Sequence, residues 1–100
     1  MSTAACEPDL RISKALAADE IERRVRRALP IGAGVSEVEA YVRCNGLEFS
    51  RAPKTRRIHA IVRNVRGSWL LYDTSVQMVF AFDYFDRLRV VEIQAAHTGL

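Results

Sequence analysis

The stretch Thr74–Asp83, TSVQMVFAFD, sends Val76, Met78, Phe80 and Phe82 to one side and Ser75, Gln77 and Ala81 to the other. That two-residue period is the signature of a β-strand with one buried and one wetter face. Tyr84-Phe85-Asp86 then turns the chain, and Leu88–Ala96 returns with Val91, Ile93 and Ala95 inward. Upstream, Arg57–Val65 sets Ile58, Ala60 and Val62 against Arg57, His59 and Arg63, and Leu47–Ser50 reads as a short first strand. Short connections between successive strands make neighbours antiparallel.

Before residue 47 the period changes. Ala17, Ile21, Val25, Ala28 and Leu29 fall on one helical face, so a helix is predicted over Ser13–Leu29, with Ser13 as N-cap and Pro30 as stop. Its acids, Asp19, Glu20 and Glu22, stand early and its arginines, 23, 24, 26 and 27, stand late, as the helix dipole favours. A second helix is predicted from Val35, with Gly34 as N-cap, Val35, Val38, Tyr41 and Val42 inward, and Asn45-Gly46 as its end. The fold class expected is α+β: two N-terminal helices on one face of a three-stranded antiparallel sheet, in the order α-α-β-β-β. Residues 1–12 lack periodicity and are expected to form a flexible tail, leaving 13–100 as a single domain.

One hundred residues, 49% hydrophobic and 27% charged, suit one compact core and argue against wholesale disorder. The net charge of +3 comes from thirteen Arg and two Lys against twelve acids, a bias that a GC-rich genome alone produces. Two cysteines, Cys6 and Cys44, are too few for a disulfide framework, and no bridge between them is expected. No run of residues is apolar enough over the ~18 positions that a spanning helix needs.

Thr3-Ala4-Ala5-Cys6 resembles the end of a bacterial lipoprotein signal, with Cys6 as the lipidated residue. The chain is expected in the cytoplasm if Met1 is the native start. If signal residues precede Met1, it is expected in the periplasm or anchored to a membrane through Cys6.

Pro30-Ile31-Gly32, Glu37-Val38 on the second helix, and Phe80-Ala81-Phe82-Asp83 followed by Arg87-Leu88 together resemble the SmpA/OmlA, or BamE-like, family of small outer-membrane lipoprotein domains over roughly residues 30–96. Gly34 stands where that family usually caps its helix with Ser or Thr, and Asp86 where its hairpin usually has Gly. The resemblance implies a sandwich of two helices and three strands, an envelope location, and binding of other proteins rather than catalysis.

The remaining motifs are sparse. Gly32-Ala33-Gly34 before a helix has the form of a phosphate cradle, but Glu37 places a carboxylate where the phosphate would sit, so a plain turn is expected. His59 and His97 are the only histidines and lack metal-ligand spacing, so neither metal nor cofactor is expected. Ser68, His59 and Asp73 compose a triad only on paper, and an enzyme is not expected. Between Glu48 and Asp73, Arg51, Lys54, Arg56, Arg57, Arg63 and Arg66 occur with no acid, followed by Trp69 and Tyr72.

That stretch yields the expected contact surface, Arg57, Arg63, Arg66, Trp69 and Tyr72. Its expected partner is a protein, with an anionic membrane surface or a nucleic acid as alternatives and no small-molecule substrate inferred.

Overall fold

In a computed structural model of the chain, residues 8–63 and 72–99 are described, with side chains over 9–63 and 75–95. A 3-10 turn, Pro8–Leu10, leads to α1, Ala18–Ala28, and α2, Val35–Cys44. The strands β1, Glu48–Ala52, β2, Arg57–Val62, β3, Tyr72–Phe82, and β4, Leu88–Gly99, follow. All four strands join one antiparallel sheet in the order β1-β2-β3-β4. The α+β class, with both helices before the sheet, therefore stands, but the sheet has four strands rather than three. The short segment after α2 is a full member, with Phe49 opposite Ala60 and Arg51 opposite Ile58.

The inward sides of the strands and the apolar stripes of both helices form one core. Ile21 and Val25 of α1 and Val38, Tyr41 and Val42 of α2 lie buried with Ile58, Ala60, Val62, Val76, Met78, Phe80 and Leu88. Fully burying a side chain of this size contributes about 1.5–3 kcal/mol relative to leaving it in water, so this cluster is what closes helices onto sheet. Both helices cover the same sheet face, and none of the described helices lies on the other.

α2 ends as its Asn45-Gly46 pair foretells. Gly46 adopts φ 65°, its N–H donates to the Arg43 carbonyl at 3.0 Å, and the Leu47 N–H donates to the Val42 carbonyl at 3.0 Å, the paired bonds of a Schellman cap. α1 starts later than its sequence suggests. Ser13 instead closes a local turn, its Oγ accepting the Ala15 N–H at 3.2 Å, and the N-cap falls on Ala17, which has no side-chain acceptor. The end of the segment read as a tail is docked: Ile12 is buried, and its N–H donates to Asn45 Oδ1 at 2.8 Å.

Cys44 is disulfide-bonded, which corrects the expectation of no bridge. The chain's other cysteine, Cys6, lies outside the described residues. Among the described residues no helix is long and apolar enough to cross a membrane.

Candidate functional site

Period-2 alternation places Arg57, His59, Ile61 and Arg63 on the helix-free side of the sheet. The pairing register continues their rows. Ser50, His59, Val79 and Glu92 stand abreast across all four strands; Glu48, Ile61, Gln77 and Gln94 form the next row, and Arg57, Ala81 and Val90 a third. Ile61, Val79 and Ala81 are each half-buried, so a narrow apolar strip runs along the middle of this face with polar side chains on its flanks. Ser50, His59, Ile61, Gln77 and Val79 share one shallow depression there.

The expected contact residues do not converge. Arg57 opens β2 and Arg63 follows its last residue, six positions on, roughly 20 Å at strand rise. Arg63 is held by Glu48, Nε to Oε2 at 2.6 Å, whereas Arg57 makes no ion pair with a described residue. Tyr72 opens β3 opposite Gly99, at the end of the sheet far from Arg57. Arg66, Trp69 and Cys6 lie outside the described residues.

The basic stretch is likewise partly occupied. Arg51 pairs with Glu39 of α2 at 3.2 Å, Arg56 with Asp86 at 3.4 Å, and Arg63 with Glu48. Each carboxylate comes from a distant part of the sequence, which is why the run looks free of acids on paper. A phosphate backbone gains affinity from cations that are free to replace its counterions, and three here already have partners.

The remaining sequence candidates separate too. His59 stands opposite Val79, and Asp73 is six positions further along β3, again roughly 20 Å away. Ser68 lies outside the described residues. Gly32 takes φ 96° in the α1–α2 connector, and its N–H donates to the Leu88 carbonyl at 2.8 Å. That donor belongs to the sheet rather than to an anion. Among the described residues no group of three or more His, Cys, Asp or Glu side chains stands close enough to hold a metal ion.

A second surface was hidden in the sequence. The β3–β4 hairpin turns through residues 83–87, and Tyr84 and Phe85 at its tip are 85% and 84% exposed. Asp86 adopts φ 58°, the left-handed conformation that glycine takes most easily and that Asp, with its short polar side chain, tolerates. The Arg56 guanidinium lies over the Tyr84 ring, 4.9 Å from its centroid. Sequence reading treats Tyr84-Phe85 only as a turn, because alternation shows which side of a strand is wet and says nothing about a tip.

Comparison with protein-family models, with curated proteins and with solved structures returns no match.

Proposed function

We propose that this chain is a non-catalytic protein-binding module of the cell envelope, acting through the helix-free face of its sheet, as its resemblance to BamE-like domains implies. The observation that carries the reading is the strip of Ile61, Val79 and Ala81 flanked by Arg57, His59, Gln77, Glu92 and Gln94. An apolar centre with a polar rim is the anatomy of a protein interface. Of the residues expected from sequence, Arg57 keeps its place in this surface as a rim cation.

The disulfide at Cys44 supports the envelope side of this reading, because bridges persist where the surroundings are oxidising. It also sets a chemical choice. A thiol that forms a disulfide cannot carry an acyl chain, so a Cys6–Cys44 bridge and lipidation of Cys6 exclude one another in the same molecule.

Site-specific photocrosslinking of the full chain in cells tests the proposal. A photoreactive residue at Gln77 is expected to yield a discrete protein adduct that disappears on Val79→Asp, while the same residue at exposed Arg27 on α1 yields none. Val79→Asp is expected to leave the melting temperature within a few degrees of the parent, since Val79 points away from the core. An adduct unaffected by Val79→Asp, or equal crosslinking from Arg27, overturns the reading.

A further inference from the structure

The large apolar side chains exposed among the described residues are Ile31, at 66%, Tyr84 and Phe85 at the hairpin tip, and Val90, at 41%. All four lie at one end of the molecule. The connector that carries Ile31 is tied to the hairpin: Val35 N–H donates to the Asp86 carbonyl at 2.9 Å, and Leu88 N–H donates to the Ala33 carbonyl at 2.6 Å. Val90 lies opposite Ala81, where this end meets the helix-free face.

The tip is built so that its aromatics stay on display. Asp83 Oδ1 accepts the N–H groups of both Phe85 and Arg87, at 2.8 and 3.1 Å, while the Asp83 N–H donates to the Arg87 carbonyl at 2.9 Å. The turn is thus fixed by its backbone and the Asp83 carboxylate, and neither ring is needed to hold it. A turn that served only to reverse the chain would take Gly, Asn or Ser at such positions.

Around the rings the charge is mostly of one sign. Lys54, Arg56 and Arg89 line one depression beside Tyr84, and Arg87 stands next along the hairpin. The two acids of the turn itself are already engaged, Asp83 by the turn's N–H groups and Asp86 by Arg56, while Glu37, at the start of α2, makes no ion pair with a described residue. Lys54, Arg87 and Arg89 make no ion pair with a described residue.

We propose that this hairpin end docks on an anionic lipid surface, with Tyr84 and Phe85 entering the boundary between headgroups and acyl chains and Lys54, Arg87 and Arg89 resting on lipid phosphates. Rings that stand almost wholly clear of their own protein suit a soft plane, whereas a protein partner would need a matching pocket for each. Tyrosine has an apolar body and a polar tip, the combination enriched at membrane interfaces. Arginine and lysine lay apolar stems along such a boundary while their charges reach the headgroups. Apolar insertion and cationic attraction act here as two signals that neither supplies alone.

The test is sedimentation of the full chain with vesicles of phosphatidylcholine alone, and with vesicles in which part of it is replaced by phosphatidylglycerol. Binding is expected to the mixed vesicles, to weaken about tenfold or more without the anionic lipid, and to fall as salt rises. Tyr84→Ser with Phe85→Ser, and separately Lys54→Glu with Arg89→Glu, are each expected to lose about tenfold or more in vesicle affinity at an unchanged melting temperature. Phe85→Trp is expected to shift its emission to the blue on mixed vesicles and to be quenched by brominated acyl chains, measured against the parent's Trp69 signal. Val79→Asp, on the helix-free face, is expected to leave vesicle binding intact, so this proposal and the preceding one fail separately. Equal binding to both vesicle types, full binding by the Tyr84/Phe85 variant, or unshifted Phe85→Trp emission overturns the inference. Capture of an acidic protein by this end without vesicle binding also overturns it.

Discussion

The Tyr41 hydroxyl donates a 2.6 Å hydrogen bond to the carbonyl oxygen of Leu10. Four residues on, Asn45 accepts the Ile12 N–H with Oδ1 and returns Nδ2 to the Tyr41 carbonyl at 2.8 Å. The last turn of α2 therefore holds the chain entering the domain by two separate bonds, and Ile12 is buried as a result. Burial pushes the Tyr41 phenol well above its ordinary value, so it stays protonated and remains a donor across the working pH range. Tyr41→Phe keeps the packing and removes one bond, and its expected cost is about 1 kcal/mol. Urea unfolding measures that loss, and amide exchange at Ile12 is expected to speed up more than exchange at Met78. An unchanged midpoint would show that the hydroxyl is as well satisfied by water.

The bridge at Cys44 lies in the same turn of α2 and is expected to reinforce this anchoring. The unfolded, unreduced parent is expected to show no titratable thiol, and Cys44→Ser is expected to expose one and to lower stability by about 2–4 kcal/mol. Reduction of the parent is expected to reproduce the loss, whereas it should leave Cys44→Ser unmoved. Two reactive thiols in the unreduced parent would remove the bridge from the account.

Glu20 receives Arg24 Nε at 2.9 Å and Arg23 Nη2 at 2.6 Å, and these two bonds hold its carboxyl below the ordinary value near 4.5. A depressed carboxyl stabilises the folded state above its unfolded value, and that contribution drains away as pH falls through the folded one. Arg24 also donates Nη1 to the Arg11 carbonyl at 2.9 Å, so the Glu20 pair helps fix the chain ahead of α1. Melting temperatures taken from neutral pH down through the carboxylate range are expected to fall more steeply for the parent than for Glu20→Gln. At the acid end the two curves are expected to converge. Parallel curves throughout would deny Glu20 any part in acid sensitivity.

These interactions also mark how far the sequence could be read. Strand alternation over 75–82 and 57–62 holds in the structure, because a side-chain period of two leaves only one way to bury Phe80 with Ile58. The Asn45-Gly46 ending of α2 was legible for a local reason too, since few residues accept the left-handed turn. What escaped is non-local. Glu39 reaching Arg51, and Glu48 reaching Arg63, are ion pairs between segments twelve and fifteen residues apart, and they hold arginines that look free when read in order. β1 reads as a strand over Leu47–Ser50, but Arg51 sets a charge on its inward side, so its full membership of the sheet shows only in its pairing with β2.

The helix starts provide the sharpest remaining test, because both N-caps lack the side-chain acceptor that the position favours. Ala17 has φ −69° and ψ 156°, and Gly34 has φ −74° and ψ 157°, the extended geometry of a capping residue, yet neither makes a side-chain cap bond. A Cβ added at Gly34 would meet only Glu37 Oε1 and Ser36 Oγ, both at 3.9 Å, which is ordinary contact. Ala17→Ser is therefore expected to stabilise the fold by about 1 kcal/mol, and Gly34→Ser by only a few tenths, since glycine already leaves the N–H groups open to water where alanine covers them. A second difference cuts the other way. Glu37, three residues past Gly34, makes no ion pair with a described residue and is free to complete a capping box with a serine, whereas Glu20, three past Ala17, is committed to Arg23 and Arg24. If reciprocal capping outweighs the simple exchange of alanine for serine, the order of the two gains reverses. Urea midpoints of the two single variants decide between these orders. Destabilisation by Gly34→Ser would mean that its backbone bridge to Arg87 requires the glycine itself.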